Sequence, residues 1–159
     1  MQGSETIKIL NFDQATNTTG YSVFIDGKLT NYGTLLSNHK EKNTLERIKQ
    51  MTDEIVKIIG ITKPDFVVLE NIQFQRNIAT FKSLAQLQGC IMYHLNNLNI
   101  GYVFVEPSAW KSFCGIKGRK REEQKKNTII YVKNKYNINV SEDIADAIGI
   151  GTWALDNLK

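Results

Sequence analysis

Pro64-Asp65-Phe66-Val67-Val68-Leu69-Glu70 is the stretch that decides the fold. A short continuous apolar run, opened by a proline and closed by an acid, suits a strand buried in a parallel sheet. Upstream of it, residues 41–60 carry Leu45, Ile48, Met51, Ile55 and Ile58 at helical spacing. Downstream, a polar loop over 71–79 leads to a second helix from about Thr80 to Asn97. Nearer the N-terminus, residues 6–13 (Thr-Ile-Lys-Ile-Leu-Asn-Phe-Asp) read as a first strand and Gly20–Ile25 as a second. Asp26-Gly27 is a hairpin signal, and a third strand follows near Lys28–Leu35. Gly101–Val105 makes a fifth strand. Pro107 opens a short helix over Ser108–Phe113. Helices over Glu122–Tyr136 and Glu142–Leu158 close the chain, the last with Ser141 at its N-cap. The order β-β-β-α-β-α-β-α-α, with the short helix before the last two, predicts one mixed five-stranded α/β domain over residues 1–159.

A chain of 159 residues with 42% apolar content has room for a sizeable core. Its net charge of +4 is modest, with a pI of about 9.0, but the charge is unevenly spread. Residues 111–136 hold nine Lys or Arg against two Glu, which leaves the remainder net acidic. So asymmetric a field suits a phosphate backbone better than general solubility. Cys90 and Cys114 have no metal-ligand spacing and read as reduced thiols; His39 and His94 read as surface or partly packed. Without a signal peptide or a membrane-length apolar run, the expectation is a soluble, cytoplasmic protein with no membrane partner.

Four acids stand where their side chains point at packed structure. Asp13 shares a strand face with Ile7 and Ile9, and Glu70 shares one with Phe66 and Val68. Asp143 and Asp146 begin a helical stripe that continues as Ala147, Ile150 and Ala154. Each has an ordinary reading: a turn residue, a loop start, two acids at the positive end of a helix. Together they describe a convergent acidic cluster, whose members would repel one another unless divalent metal neutralised them. Oxygen ligands of this kind suit Mg²⁺ or Mn²⁺. Two such ions, roughly 3.5–4 Å apart, can activate a water and stabilise the leaving oxygen in phosphodiester hydrolysis.

On these residues the chain resembles the RuvC-type Holliday junction resolvases, as a divergent phage-type member. Phe12-Asp13 with Thr19-Gly20-Tyr21-Ser22-Val23 resembles the family's first two strands and turn. Val67-Val68-Leu69-Glu70, with Asn77 beyond, resembles its second acidic strand and loop. Leu84-Ala85-Gln86-Leu87-Gln88-Gly89, Pro107-Ser108-Ala109-Trp110-Lys111 and Asp143-Ile144-Ala145-Asp146-Ala147 continue the likeness over nearly the whole length. The first motif departs from it: family members usually carry Asp-Pro-Gly where this chain has Asp13-Gln14-Ala15. The resemblance implies a ribonuclease H-like fold and metal ligation by Asp13, Glu70, Asp143 and Asp146. It also implies a catalytic lysine at Lys111 near the scissile phosphate, with Lys120, Arg121, Lys125 or Lys126 as a second basic group. The products would be 5′-phosphate and 3′-hydroxyl ends. It further implies a homodimer whose surface includes the helix bearing Phe81, Leu84, Leu87, Ile91 and Leu95, a set that equally suits an ordinary core stripe.

The basic segment, from Lys111 through Lys117, Arg119, Lys120, Arg121, Lys125 and Lys126, would face DNA, with a mobile glycine-flanked loop over 115–121. The alternative is a solvated basic helix. Phe74 beside Arg76 would either stack on an unpaired base or anchor the loop on the core. Trp110, Trp153, Tyr21, Tyr93 and Tyr102 read as structural. The expected function is a metal-dependent endonuclease on four-way junctions and other branched DNA. The competing readings are a nuclease on RNA–DNA hybrids, an actin-like ATPase, and a non-catalytic junction-binding protein. No branch-migration partner can be read from the chain.

Overall fold

The computed structural model describes residues 6–74 and 76–158. Residues 1–5 and 159 of the expected domain, and Gln75 of the polar loop, lie outside the described residues. Strands β1 (Lys8–Asp13), β2 (Thr18–Ile25) and β3 (Lys28–Leu36) lead into helix α1 (Thr44–Thr62). Then follow β4 (Phe66–Glu70), α2 (Ile78–Asn97), β5 (Gly101–Val105), α3 (Pro107–Phe113), α4 (Arg121–Tyr136) and α5 (Glu142–Asn157). The sheet order is β3-β2-β1-β4-β5. The first three strands pair antiparallel, whereas β4 and β5 run parallel to β1. This is the mixed five-stranded α/β architecture expected.

Local chemistry explains the elements. Asp26 and Gly27 take φ of 51° and 80°, the left-handed pair that a tight hairpin requires. Asn43 caps α1 by accepting from the Leu45 and Glu46 amides. That helix ends at Lys63 in the left-handed region, just before Pro64. β4 lies between β1 and β5, and Val67, Val68 and Leu69 are fully buried.

Alternation along the strands then sorts side chains between two layers. Leu10, Phe12, Val67 and Leu69 pack with Met51, Ile55 and Ile59 of α1 and Leu87, Ile91 and Leu95 of α2. Ile9, Val68 and Val105 pack on the other side, against Trp110, Ile150 and Ala154. Asn11, Asp13 and Glu70 share the parity of that second face, so they are presented towards α5 rather than α1.

Some expectations need correction. Leu87, Ile91 and Leu95 are spent on the core, which removes them from any dimer surface; Phe81 and Leu84 are only partly buried. Tyr93 is 71% exposed, because it lies on the side of α2 away from α1. Trp153 packs only at the edge of the second core. Ser141 occupies the N-cap of α5 but its hydroxyl makes no capping bond. The first turn instead carries Glu142 and Asp143, whose charge suits the positive helix end. Cys90 and Cys114 are free thiols. No helix among the described residues is long and apolar enough to cross a membrane.

Candidate active site

The parallel ladder of β1 and β4 ends with Phe12 beside Leu69, so Asp13 and Glu70 follow it side by side as the last residues of their strands. On its other side Asp13 pairs with Gly20 of β2. A Cβ at Gly20 would collide with the backbone carbonyl of Asp143, so the first turn of α5 rests directly on this strand. One turn further on, the Ser22 hydroxyl donates to the Ala147 carbonyl at 2.7 Å. The buried Asn11 amide in turn donates to Ser22, at 3.2 Å to its hydroxyl and 3.3 Å to its carbonyl. Strands β1 and β2 thus fix both the height and the rotation of α5. Asp143 and Asp146 are carried to the strand ends.

All four acids line one cleft of about 350 Å³, together with Lys111, Arg121, Gln124, Lys125 and Glu142. Burial pushes the Asp13 carboxyl well above the usual carboxylate range, and the charges of Glu70, Asp146 and Asp143 push it further. Asp146 is pushed up to about 7, by burial first and then by Glu70. Burial also raises Glu70, against the opposing pull of a hydrogen bond from Trp110 and the charge of Lys111. Asp143 is raised by burial and by neighbouring Glu142. Among the described residues, no hydrogen bond or ion pair satisfies the side chains of Asp13, Asp143 or Asp146.

This donor set fits hard divalent cations. It is all oxygen, and none of its four carboxylates is in an ion pair among the described residues. Its proton affinity is raised first by burial and then, for Asp13 and Asp146, by neighbouring acids, an effect that a bound cation would oppose. Among the described residues, no three His, Cys, Asp or Glu side chains stand close enough together to hold a metal ion by themselves. Mg²⁺ takes one or two carboxylates and fills its remaining positions with water and substrate phosphate, so it does not require three of these acids at once.

The cations are arranged unequally. Lys111 reaches Gln124 Oε1 at 3.2 Å and lies 5.7 Å from the centre of the Trp110 ring, beside the acids. Arg121 and Lys125 line the same cleft, and Lys125 pairs with Glu142 at 3.2 Å. Lys117, Arg119, Lys120 and Lys126 are exposed and stand outside the cleft lining. The loop expected to be mobile is tied to α4 by side chains. Asn127 donates to the Lys117 carbonyl at 2.5 Å, Gln124 to the Gly118 carbonyl at 3.0 Å, and Glu123 accepts from the Arg119 amide at 3.2 Å. Phe74 is no core anchor: it is 82% exposed, with its ring 6.0 Å from that of Phe81. Arg76 is exposed as well, and neither residue lines the cleft.

Two site residues escaped the sequence reading. Trp110 is core, as expected, yet its indole Nε1 donates to Glu70 Oε2 at 2.7 Å. A buried indole N–H needs an acceptor, and that need was the available signal. Gln14, read only as a departure from a motif, binds the backbone of Glu70.

The chain and its fold have known relatives. The family described as "Lactococcus phage M3 protein" matches residues 6–155. The chain is 30% identical to the crossover junction endodeoxyribonuclease RuvC of Fusobacterium nucleatum, over 96% of this chain and 82% of that one. It is 25% identical to the protein of the same name from Dictyoglomus turgidum, over 89% and 92% of the two chains. The fold resembles Thermus thermophilus RuvC solved with a Holliday junction substrate, at a TM-score of 0.74 and 13% identity, covering 94% and 92% of the chains. It also resembles the yeast mitochondrial Holliday junction resolvase, at a TM-score of 0.61 and 12% identity, covering 93% and 78%.

Proposed function

Because the chain belongs to the RuvC family of crossover junction endodeoxyribonucleases, we propose that it is a metal-dependent endonuclease that cuts four-way DNA junctions, working as one ribonuclease H-like domain per subunit. The observation that carries this reading is the gathering of four carboxylates from β1, β4 and α5 in a single cleft beside Lys111. Asp13, Glu70, Asp143 and Asp146 hold the cations, two Mg²⁺ per site with Mn²⁺ able to replace them. When bound, the ions supply Lewis acidity and offset charge on the phosphodiester.

The chain's own groups do the rest. Lys111 faces the scissile phosphate and limits the repulsion between it and the acids. Arg121 and Lys125 hold the backbone at the cleft mouth; Lys117, Arg119, Lys120 and Lys126 touch phosphates further out. Phe74, exposed beside Arg76, stacks on bases left unpaired at the branch point. A two-fold junction is cut symmetrically by two sites, so the active form is a homodimer. The outward face of α2, with exposed Ile78 and Tyr93 and partly buried Phe81, suits that contact. The setting is the cytoplasm, with host cytoplasm implied for a phage-encoded chain.

The test is cleavage of end-labelled four-way junctions, RNA–DNA hybrids and linear duplex, with Mg²⁺ and with EDTA. Paired symmetric nicks in junctions, requiring Mg²⁺, are expected. Asp143→Asn is expected to abolish cutting while keeping junction binding. A preference for the hybrid overturns the assignment, and wild-type cutting by the variant removes Asp143 from the site.

A further inference from the structure

Gln14 follows the first acid, and it is only 7% exposed. Its Nε2 donates to the Glu70 carbonyl at 2.6 Å, and its Oε1 accepts from the Glu70 amide at 3.3 Å. The ladder between β1 and β4 stops one residue short of both acids, at Phe12 and Leu69. The carboxamide therefore supplies the next rung, satisfying both backbone groups of Glu70 from a side chain. The turn that follows is pinned in the same way. Thr19 Oγ1 accepts from the Ala15 amide at 3.1 Å and donates to the Ala15 carbonyl at 2.9 Å.

We propose that Gln14 is a positioning residue for metal binding, holding Glu70 beside Asp13 where their mutual repulsion would part them. The inference rests on the metal-dependent reading of this cleft. Glu70 is gripped at two ends: Trp110 holds its carboxylate at 2.7 Å and Gln14 holds its backbone. The next residue returns to the sheet, with the Asn71 amide on the Val105 carbonyl at 2.8 Å. Between those grips the freedom left to Glu70 is in its side-chain torsions. Remove the carboxamide and two backbone groups at the strand end lose their partners. The end of β4 is then free to follow the repulsion away from Asp13. In this chain a side-chain amide clamp stands where the resembled motif uses a proline and a glycine.

The experiment is an Mn²⁺ titration of the free protein, read by electron paramagnetic resonance, for wild type, Gln14→Met and Gln14→Asn. Methionine keeps the volume and removes both bonds. Asparagine keeps the amide but is one methylene short. Groups that orient metal ligands from behind typically carry at least an order of magnitude in affinity, so Mn²⁺ binding is expected to weaken roughly 10-fold or more in each folded variant. Affinity for a synthetic four-way junction in EDTA is expected to stay within about twofold, because Gln14 is not among the phosphate-binding groups. Wild-type Mn²⁺ affinity in either folded variant overturns the proposal. So does loss of folding in both variants, which would make Gln14 a scaffold residue only. A wild type that binds Mn²⁺ but cuts no junction would reject the function above while leaving the Gln14 role standing.

Discussion

At the residue scale, the acids conflict with stability. Asp146 sits at about 7, raised by burial and by Glu70. For an acid raised in the folded state, the stabilising contribution is complete below its ordinary value of 3.8 and is lost as pH rises through the folded value. Metal-free protein should therefore lose thermal stability through this group between about pH 4 and 7. Asp146→Asn should melt higher than wild type above pH 7 in EDTA and show a flatter slope; identical slopes in the two proteins would reject the coupling. Trp110 offers an optical readout of the same site, because its indole donates to Glu70. In a Trp153→Phe background it is the single tryptophan. Its emission should change on Mg²⁺ addition, and the change should vanish with Asp13→Asn. The acids themselves were legible from their strand and helix parity. The roles of Gln14 and Trp110 were not, because each depends on a hydrogen bond between segments distant in the chain.

At the scale of elements, α5 is set by the strands beneath it. Gly20 lets its first turn touch β2, and Ser22 fixes its rotation through the Ala147 carbonyl. Gly20→Ala should push Asp143 and Asp146 away from Asp13, costing about 1–3 kcal/mol of stability through overpacking. The same variant should cut junctions at least about tenfold more slowly, since small misplacements at a reacting centre cost that much or more. A thermal melt with a single-turnover cleavage assay checks both; unchanged cleavage in a destabilised protein would separate packing from positioning. Much of the sheet was readable in the chain: Val67-Val68-Leu69 announced a buried strand and Asp26-Gly27 a hairpin. The fate of α2 was not. Its apolar stripe looks the same whether it meets α1 or a second subunit, and only the packing of α1 decides it.

At the scale of the whole molecule, charge is divided between an acidic cleft and a basic rim on α3, α4 and their connecting loop. Lys117, Arg119 and Lys120 lie outside the cleft lining, so replacing all three with Gln should weaken junction binding with little change in cleavage rate at saturation. The slope of log affinity against log salt should become shallower by about 1 for each phosphate that is no longer neutralised. A slope equal to wild type would remove this rim from the DNA surface. The acids that meet in the cleft come from residues 13, 70, 143 and 146, nearly the full span of the described chain. The last two ride on α5, which follows every other described element in the chain. During translation, then, the ribosome releases β1 and β4 long before the helix that completes their site. On the proposed reading, a nascent chain cannot cut until α5 has emerged and docked.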